Sequence, residues 1–229
     1  MKTKHAWIGV GSLAAIAALG PLLATSGAVA PLTGLGLFAL GGLGSLLAAL
    51  ALSVTAGIQR RKALLGPAAL AWLVAAPLVL AGTNGRDVPP INDITTDLQE
   101  PPTITEEGRP ILAKHDLNYP PEWVALVQQG YPDLNGQHLN EPRAEAFAAV
   151  EAAARATEGW TLHRVDAASG VIEGSEETAL FHFVDDFSIR VVGDGEGSRV
   201  DMRSRSRDGR SDLGKNAERI RGFLGRLGG

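Results

Sequence analysis

The chain has 229 residues, 21 of them basic and 25 acidic, a formal net charge of −4 and no cysteine. Disulfides, thiolate nucleophiles, Cys-ligated zinc, iron–sulfur clusters and a lipid-bearing cysteine are thereby excluded. Charge is unevenly distributed: every Asp and Glu lies at or beyond Asp87, whereas the only basic residues before Gly85 are Lys2, Lys4, Arg60, Arg61 and Lys62. The later part is net acidic and has no global reason to seek nucleic acid.

Crossing a bilayer takes about 20 mostly apolar residues, because a helix rises about 1.5 Å per residue and must satisfy its own backbone. Three stretches meet that requirement: Ala6 to Ala24, Leu32 to Ile58 and Ala63 to Ala81. The cations at Lys2/Lys4 and Arg60/Arg61/Lys62 belong on the cytoplasmic side, which directs everything after Gly82 outward. Ala28-Val29-Ala30 is an A-x-A site and makes a cleaved signal peptide the rival reading of the first stretch. Pro31 directly after it opposes cleavage, and loss of the first helix leaves the later part exported. The spans hold no intramembrane charge of the kind that marks an ion path, which disfavours transport. Gly11/Ala15 and Gly41/Ser45 have small-xxx-small spacing suited to close helix packing or dimerisation.

Residues 83–118 read as a proline-rich extended linker, with Pro89, Pro90, Pro101, Pro102 and Pro110 forbidding helix. Asn92, Asp93, Thr95, Thr96 and Asp97 are turn formers, which fits a tether with local turns that can pack back onto the domain, and no calcium-loop pattern accompanies them. From 119 to 229 the pattern is regular. Helices are expected at Pro121–Gln129, at Pro142–Glu158 with Ala146, Phe147, Val150, Ala153 and Ala154 on one face, and at Leu213–Leu227 burying Leu213, Ile220, Phe223 and Leu224. Strands are expected at Trp160–Asp166, Gly170–Thr178, Phe183–Val192 and Arg199–Arg207, joined by glycine-bearing turns. The expected fold is an α+β domain in the order α-β-β-β-β-α, a four-stranded antiparallel sheet with helices on one face, preceded by an all-α membrane anchor over residues 1–82.

Period-two alternation places Phe183, Asp185, Phe187, Ile189 and Val191 under the helices together with Val200, Met202, Ser204 and Ser206. Asp186, Arg190, Asp201, Arg203, Arg205 and Arg207 then share the other face. A tight Gly193–Gly197 turn puts Asp186 across from Arg203. Arg190, Arg203, Arg205 and Arg207 are the candidate ligand-binding set, because guanidinium forks bind planar oxyanions bidentately. The competing reading is a charge ladder neutralised by Asp186, Asp201 and Asp208. Asp185 on the covered side calls for a cap or partner, and Asp212 reads as an N-cap.

Chemistry is sparse. His115, His138, His163 and His182 lack ligand spacing, and no nucleophile elbow, Walker loop or dinucleotide fingerprint occurs. A hydrolase or metal site near His163, His182 and Asp186 is the alternative function, and the main reading assigns no catalytic residue, metal or cofactor.

The run Val200-Asp201-Met202-Arg203-Ser204-Arg205-Ser206-Arg207-Asp208-Gly209-Arg210-Ser211-Asp212-Leu213-Gly214-Lys215-Asn216-Ala217-Glu218-Arg219-Ile220, with Ile91–Asp97 and Phe183–Val191, resembles the family catalogued as domain of unknown function 1499. The resemblance covers Pro89 to Leu227. It implies a bacterial envelope component, with a strand order similar at fold level to helix-grip modules of envelope assembly lipoproteins. The expectation is a multi-pass protein of the inner (plasma) membrane with a periplasmic or extracytoplasmic domain, serving envelope integrity as a non-enzymatic binding or scaffold module. Its expected partners are membrane lipid, an envelope protein, an anionic lipid or glycan, or a second copy in a homo-oligomer, and not nucleic acid.

Overall fold

The computed structural model describes residues 3–84, 88–105 and 118–228. Lys2, Pro110, His115 and the remainder of 106–117 lie outside the described residues. The chain divides into two compact units, one comprising 1–86 with 179–182 and the other 87–178 with 183–229.

The first unit is built on three helices long and apolar enough to cross a membrane: α1 (Thr3–Thr25), α2 (Pro31–Ile58) and α3 (Leu65–Asn84), the last preceded by a 3-10 turn at Lys62–Leu64. Pro31 occupies the first turn of α2, where its missing N–H costs nothing. Glycine sets the approach of α1 to α2. A Cβ on Gly20 would meet the Gly34 carbonyl oxygen, and one on Gly41 would meet the Ala17 backbone. Gly41 and Ser45 therefore lie in the helix contact as their spacing suggests, and Ser45 is fully buried. Gly11, by contrast, faces open space.

The second unit is an antiparallel sheet of six strands, not four. The expected meander is present as β3 (Trp160–Asp166), β4 (Val171–Glu177), β5 (Val184–Asp194) and β6 (Gly197–Ser206). Two further three-residue strands, β1 (Asp93–Thr95) and β2 (Gln137–Leu139), both pair with β6, giving the order β1-β6-β5-β4-β3. Helices α4 (Val124–Gly130), α5 (Arg143–Arg155) and α6 (Lys215–Leu227) complete the unit. The core joins Phe147 and Val150 of α5 and Ile220 and Phe223 of α6 to Ile172, Phe187, Ile189, Val191, Val200 and Met202 of the sheet. Burying these apolar groups is the main force holding helices to sheet.

Three further sequence expectations change. The β5–β6 hairpin closes on Gly195-Glu196, with Gly195 at φ 64°, so Asp186 pairs in register with Arg205 and Ser188 with Arg203. The shift is two residues, so every side chain keeps its face. The last helix begins at Lys215, and Leu213 turns outward at φ 55° with 48% of its surface exposed. Finally, the face expected to meet solvent is covered. Residues 91–105, read as linker, contribute β1 and then run over that face, where Pro102 reaches Arg203 of β6, Glu100 reaches Arg190 of β5 and Thr105 reaches Glu173 of β4.

Candidate functional site

Alternation along the strands builds a layer of charge on the face away from the helices. One cross-strand row runs Asp93, Arg205, Asp186, Ser175 and Thr161; the next runs Thr95, Arg203, Ser188, Glu173 and Arg164. Arg190 and Asp201 face one another in a third. Opposite charges thus become neighbours both along and across the strands, the arrangement that favours pairing over repulsion.

Each of the four candidate arginines has a carboxylate close by. Arg203 donates from Nε and Nη2 to the two oxygens of Asp93, at 2.9 and 2.7 Å, and its side chain is 2% exposed. The Tyr119 ring covers the same guanidinium at 5.3 Å. Arg207 grips Asp186 through Nε and Nη2, with a shortest contact of 2.6 Å. Arg190 donates to Asp97 at 2.7 Å and to the Glu100 carbonyl at 2.8 Å, and stands 3.4 Å from Asp201. Arg205 has the longest of these contacts, with Nε 3.7 Å from Asp93. Arg199, not among the candidates, completes the layer by donating to Asp201 at 3.0 Å. Among the described residues, Asp93, Asp97, Asp186 and Asp201 hold the strip.

Burial shapes the electrostatics. Desolvation raises the Asp93 carboxyl above its ordinary value despite the hydrogen bond from Arg203 and the charge of Arg205. At Asp97 burial also pulls upward, but the amides of Glu100 and Gln99 and the charges of Arg199 and Arg190 outweigh it and hold the carboxyl low. Desolvation, reinforced by Asp93, pushes the Tyr119 phenol far up, so it stays neutral. Glu173 is fully buried and accepts from the Thr105 amide at 2.7 Å and its hydroxyl at 2.6 Å.

On the helix side lies a second polar network. Asp185, anticipated as needing a partner, pairs with Arg219 of α6 at 2.7 Å, and Arg219 also donates to Glu176 at 2.7 Å and to Ser204 at 2.9 Å. Fully buried Asn216 accepts from Ser204 and donates to Ser206 and to the Asn92 carbonyl. Arg219 and Asn216 were not singled out in the sequence, although the α6 face defined by Ile220 and Phe223 points to both. Asp212 caps α6 as expected, although Gly214 occupies the cap position: its carboxylate accepts the Asn216 amide at 2.7 Å and the Gly214 amide at 2.9 Å. Burial raises the Asp212 carboxyl against those same hydrogen bonds.

The histidines are dispersed. His163, at a bulge in β3, bonds Ser175 at 2.7 Å, and burial lowers its pKa below the usual value although Asp186 pulls upward. His182 occupies a left-handed position at φ 59°, and His138 stands 3.6 Å from Asp194 at the surface. Among the described residues no group of three or more His, Asp or Glu is placed to hold a metal. A shallow groove between β3 and α6 is lined by Trp160, Phe223, Arg219 and Arg226. Trp160 fills its floor in tilted contact with Phe187 and Phe223, at 4.1 and 4.9 Å.

Neither a curated protein nor a solved structure matches the chain. One family model does, described as "Protein of unknown function (DUF1499)", over residues 93–227. That match begins at Asp93, the partner of Arg203, and takes in the charge layer and, apart from the Asn92 carbonyl, the helix-side polar network. Because it spans more than half of the sequence, the chain belongs to the DUF1499 family.

Proposed function

We propose that this protein is a multi-pass component of the bacterial inner (plasma) membrane whose sheet domain lies on the extracytoplasmic side and serves the envelope as a non-enzymatic binding or scaffold module. The carrying observation is the fate of the arginine strip. Arg190 and Arg203 hold Asp97 and Asp93 at 2.7–2.9 Å, which fixes residues 91–105 to the sheet, and Arg207 holds Asp186 at 2.6 Å within the sheet face. An incoming anion would have to displace carboxylates already gripped by these forks. The orientation rests on the cations at Lys4 and Arg60–Lys62, which favour the cytoplasmic side. The hydrolase or metal-enzyme alternative draws support from His163, which shares its surroundings with Asp186, but Asp186 is committed to Arg207.

Two measurements test this reading. A reporter active only outside the cytoplasm, fused after the last residue, is expected to be active; activity of a cytoplasmic reporter alone at that position overturns the orientation. Restoration of the phenotype of a deletion strain by Arg205→Ala supports a structural strip. If Arg205→Ala and Arg205→Lys both fold and both fail, the anion-binding reading replaces it, because an ammonium cannot reproduce a planar fork.

A further inference from the structure

We propose that one end of the helical unit is a binding face for anionic phospholipid headgroups, formed jointly by Lys4 of α1 and the Arg60-Arg61-Lys62 turn between α2 and α3. These cations are far apart in sequence, and packing brings them together. Ala6 and Val10 of α1 share a core with Ala49, Leu52 and Ala56 of α2 and with Leu64 and Ala68 at the start of α3. A Cβ on Gly66 would lie 2.9 Å from the Trp7 ring, so the beginnings of α1 and α3 touch.

The turn presents its charges rather than folding them away. Arg60 adopts φ 51°, and the amides of Gln59 and Arg61 bond back to the Thr55 and Ala56 carbonyls at 3.0 Å, which ties the turn to the end of α2. Lys4, Arg60 and Lys62 are exposed and Arg61 is half-buried. No Asp or Glu precedes Asp87, so this part of the chain supplies no carboxylate of its own to neutralise the face. That absence sets it apart from the sheet domain, where arginines meet acids of the same domain.

The helices place the face at the level where phosphate groups begin, since an apolar span ends at the headgroup layer. A basic residue near an anionic membrane surface gains roughly fivefold in lipid preference per charge. Arg60 and Arg61 add the planar forks that match a phosphodiester, whereas Lys4 and Lys62 contribute point charges.

The test uses the full chain purified in mixed micelles containing equal phosphatidylglycerol and phosphatidylcholine, with the lipid retained by the protein extracted and quantified. Phosphatidylglycerol is expected to be enriched several-fold. Arg60→Gln/Arg61→Gln/Lys62→Gln is expected to lose most of that enrichment, and Arg60→Lys/Arg61→Lys to keep part of it. Absence of enrichment in the native chain, or equal enrichment in the triple variant, overturns the proposal. Should the triple variant lack the native near-UV spectrum, a salt series on the native chain decides: enrichment that does not fall as sodium chloride rises overturns it equally.

Discussion

Asp93 and Arg203 meet in a two-pronged ion pair, 2.9 and 2.7 Å long, at a point where neither side chain has more than 2% of its surface exposed. The pair joins a strand of only three residues to the longest-range partner the sheet offers. Removing Arg203 leaves Asp93 buried with the longer Arg205 contact in place of a two-pronged partner, whereas replacing both members with apolar groups leaves neither charge of the pair in the interior. Arg203→Met is therefore expected to destabilise the domain by about 3–5 kcal/mol, and Asp93→Leu/Arg203→Met to recover most of the loss. Urea unfolding of the full chain in detergent, followed by near-UV circular dichroism, measures both; a loss under about 1 kcal/mol for the single variant contradicts the buried-pair account.

Arg219 and Arg221 stand two positions apart on α6 and are expected to respond differently. Arg219 is buried against Asp185 and Glu176, so Arg219→Leu should cost about 3 kcal/mol or more. Arg221 pairs with Asp133 in the open, so Arg221→Ala should cost about 0–1 kcal/mol. Equal losses in unfolding midpoint would show that burial does not separate the two sites.

His163 predicts a pH dependence of definite sign. Its folded pKa is lowered by burial below the ordinary 6.5, so the unfolded chain binds the proton more tightly. The contribution to stability is fully present above pH 6.5 and is lost as pH falls through the lowered folded value. His163→Gln should flatten the stability profile over that interval while leaving the profile above it unchanged in slope. An unaltered slope below pH 6.5 would refute the assignment.

In the helical unit, Gly20→Val and Gly41→Val force a side chain into the neighbouring backbone, and Gly11→Val does not. The first two should lower stability by about 1–3 kcal/mol, seen as a fall in the thermal aggregation midpoint in detergent. Gly11→Val should leave that midpoint within error; a comparable fall at Gly11 would mean its face packs on something after all.

The segment from Pro89 to Gly229 is expected to fold without the helices, because its sheet and helices enclose a core of their own. Expressed alone it should give one cooperative transition. A soluble segment with no near-UV signal and no transition would make the two units interdependent.

Much of the sheet domain is legible because β5 and β6 alternate strictly. Phe187, Ile189, Val200 and Met202 announce the core face, and the same alternation flags Asp185 as an oddity, which Arg219 resolves. What escapes has physical reasons. β1 and β2 are three residues each, too short to show a period, and they pair with β6 across more than a hundred and about sixty residues respectively. Asp93, Thr96 and Asp97 look like turn residues because their composition is that of a loop; nothing local shows that their oxygens answer Arg203, Met202 and Arg190. Treating outward as solvent-facing fails for the same reason, since an irregular covering segment has no pattern. The hairpin register slips by two because glycines at 193, 195 and 197 leave several centres open, and only one of them closes on Gly195-Glu196. In the helical unit, Gly11/Ala15 and Gly41/Ser45 have equal spacing, and only packing reveals which pair faces a neighbour.

The placement of β1 and β2 along the same side of β6 has a consequence for how copies of the domain meet. A free strand flank is a template for pairing with another molecule. Here the two short strands occupy successive stretches of the β6 flank, Ser198–Val200 and Arg203–Arg205, leaving no long run of unpaired backbone on that side. The opposite flank belongs to β3, which carries an irregularity between Leu162 and Arg164 and the charged pair Arg164 and Asp166. Bulge and charge both spoil a second strand's docking. Neighbouring copies can therefore crowd together without their sheets zipping into a continuous ribbon.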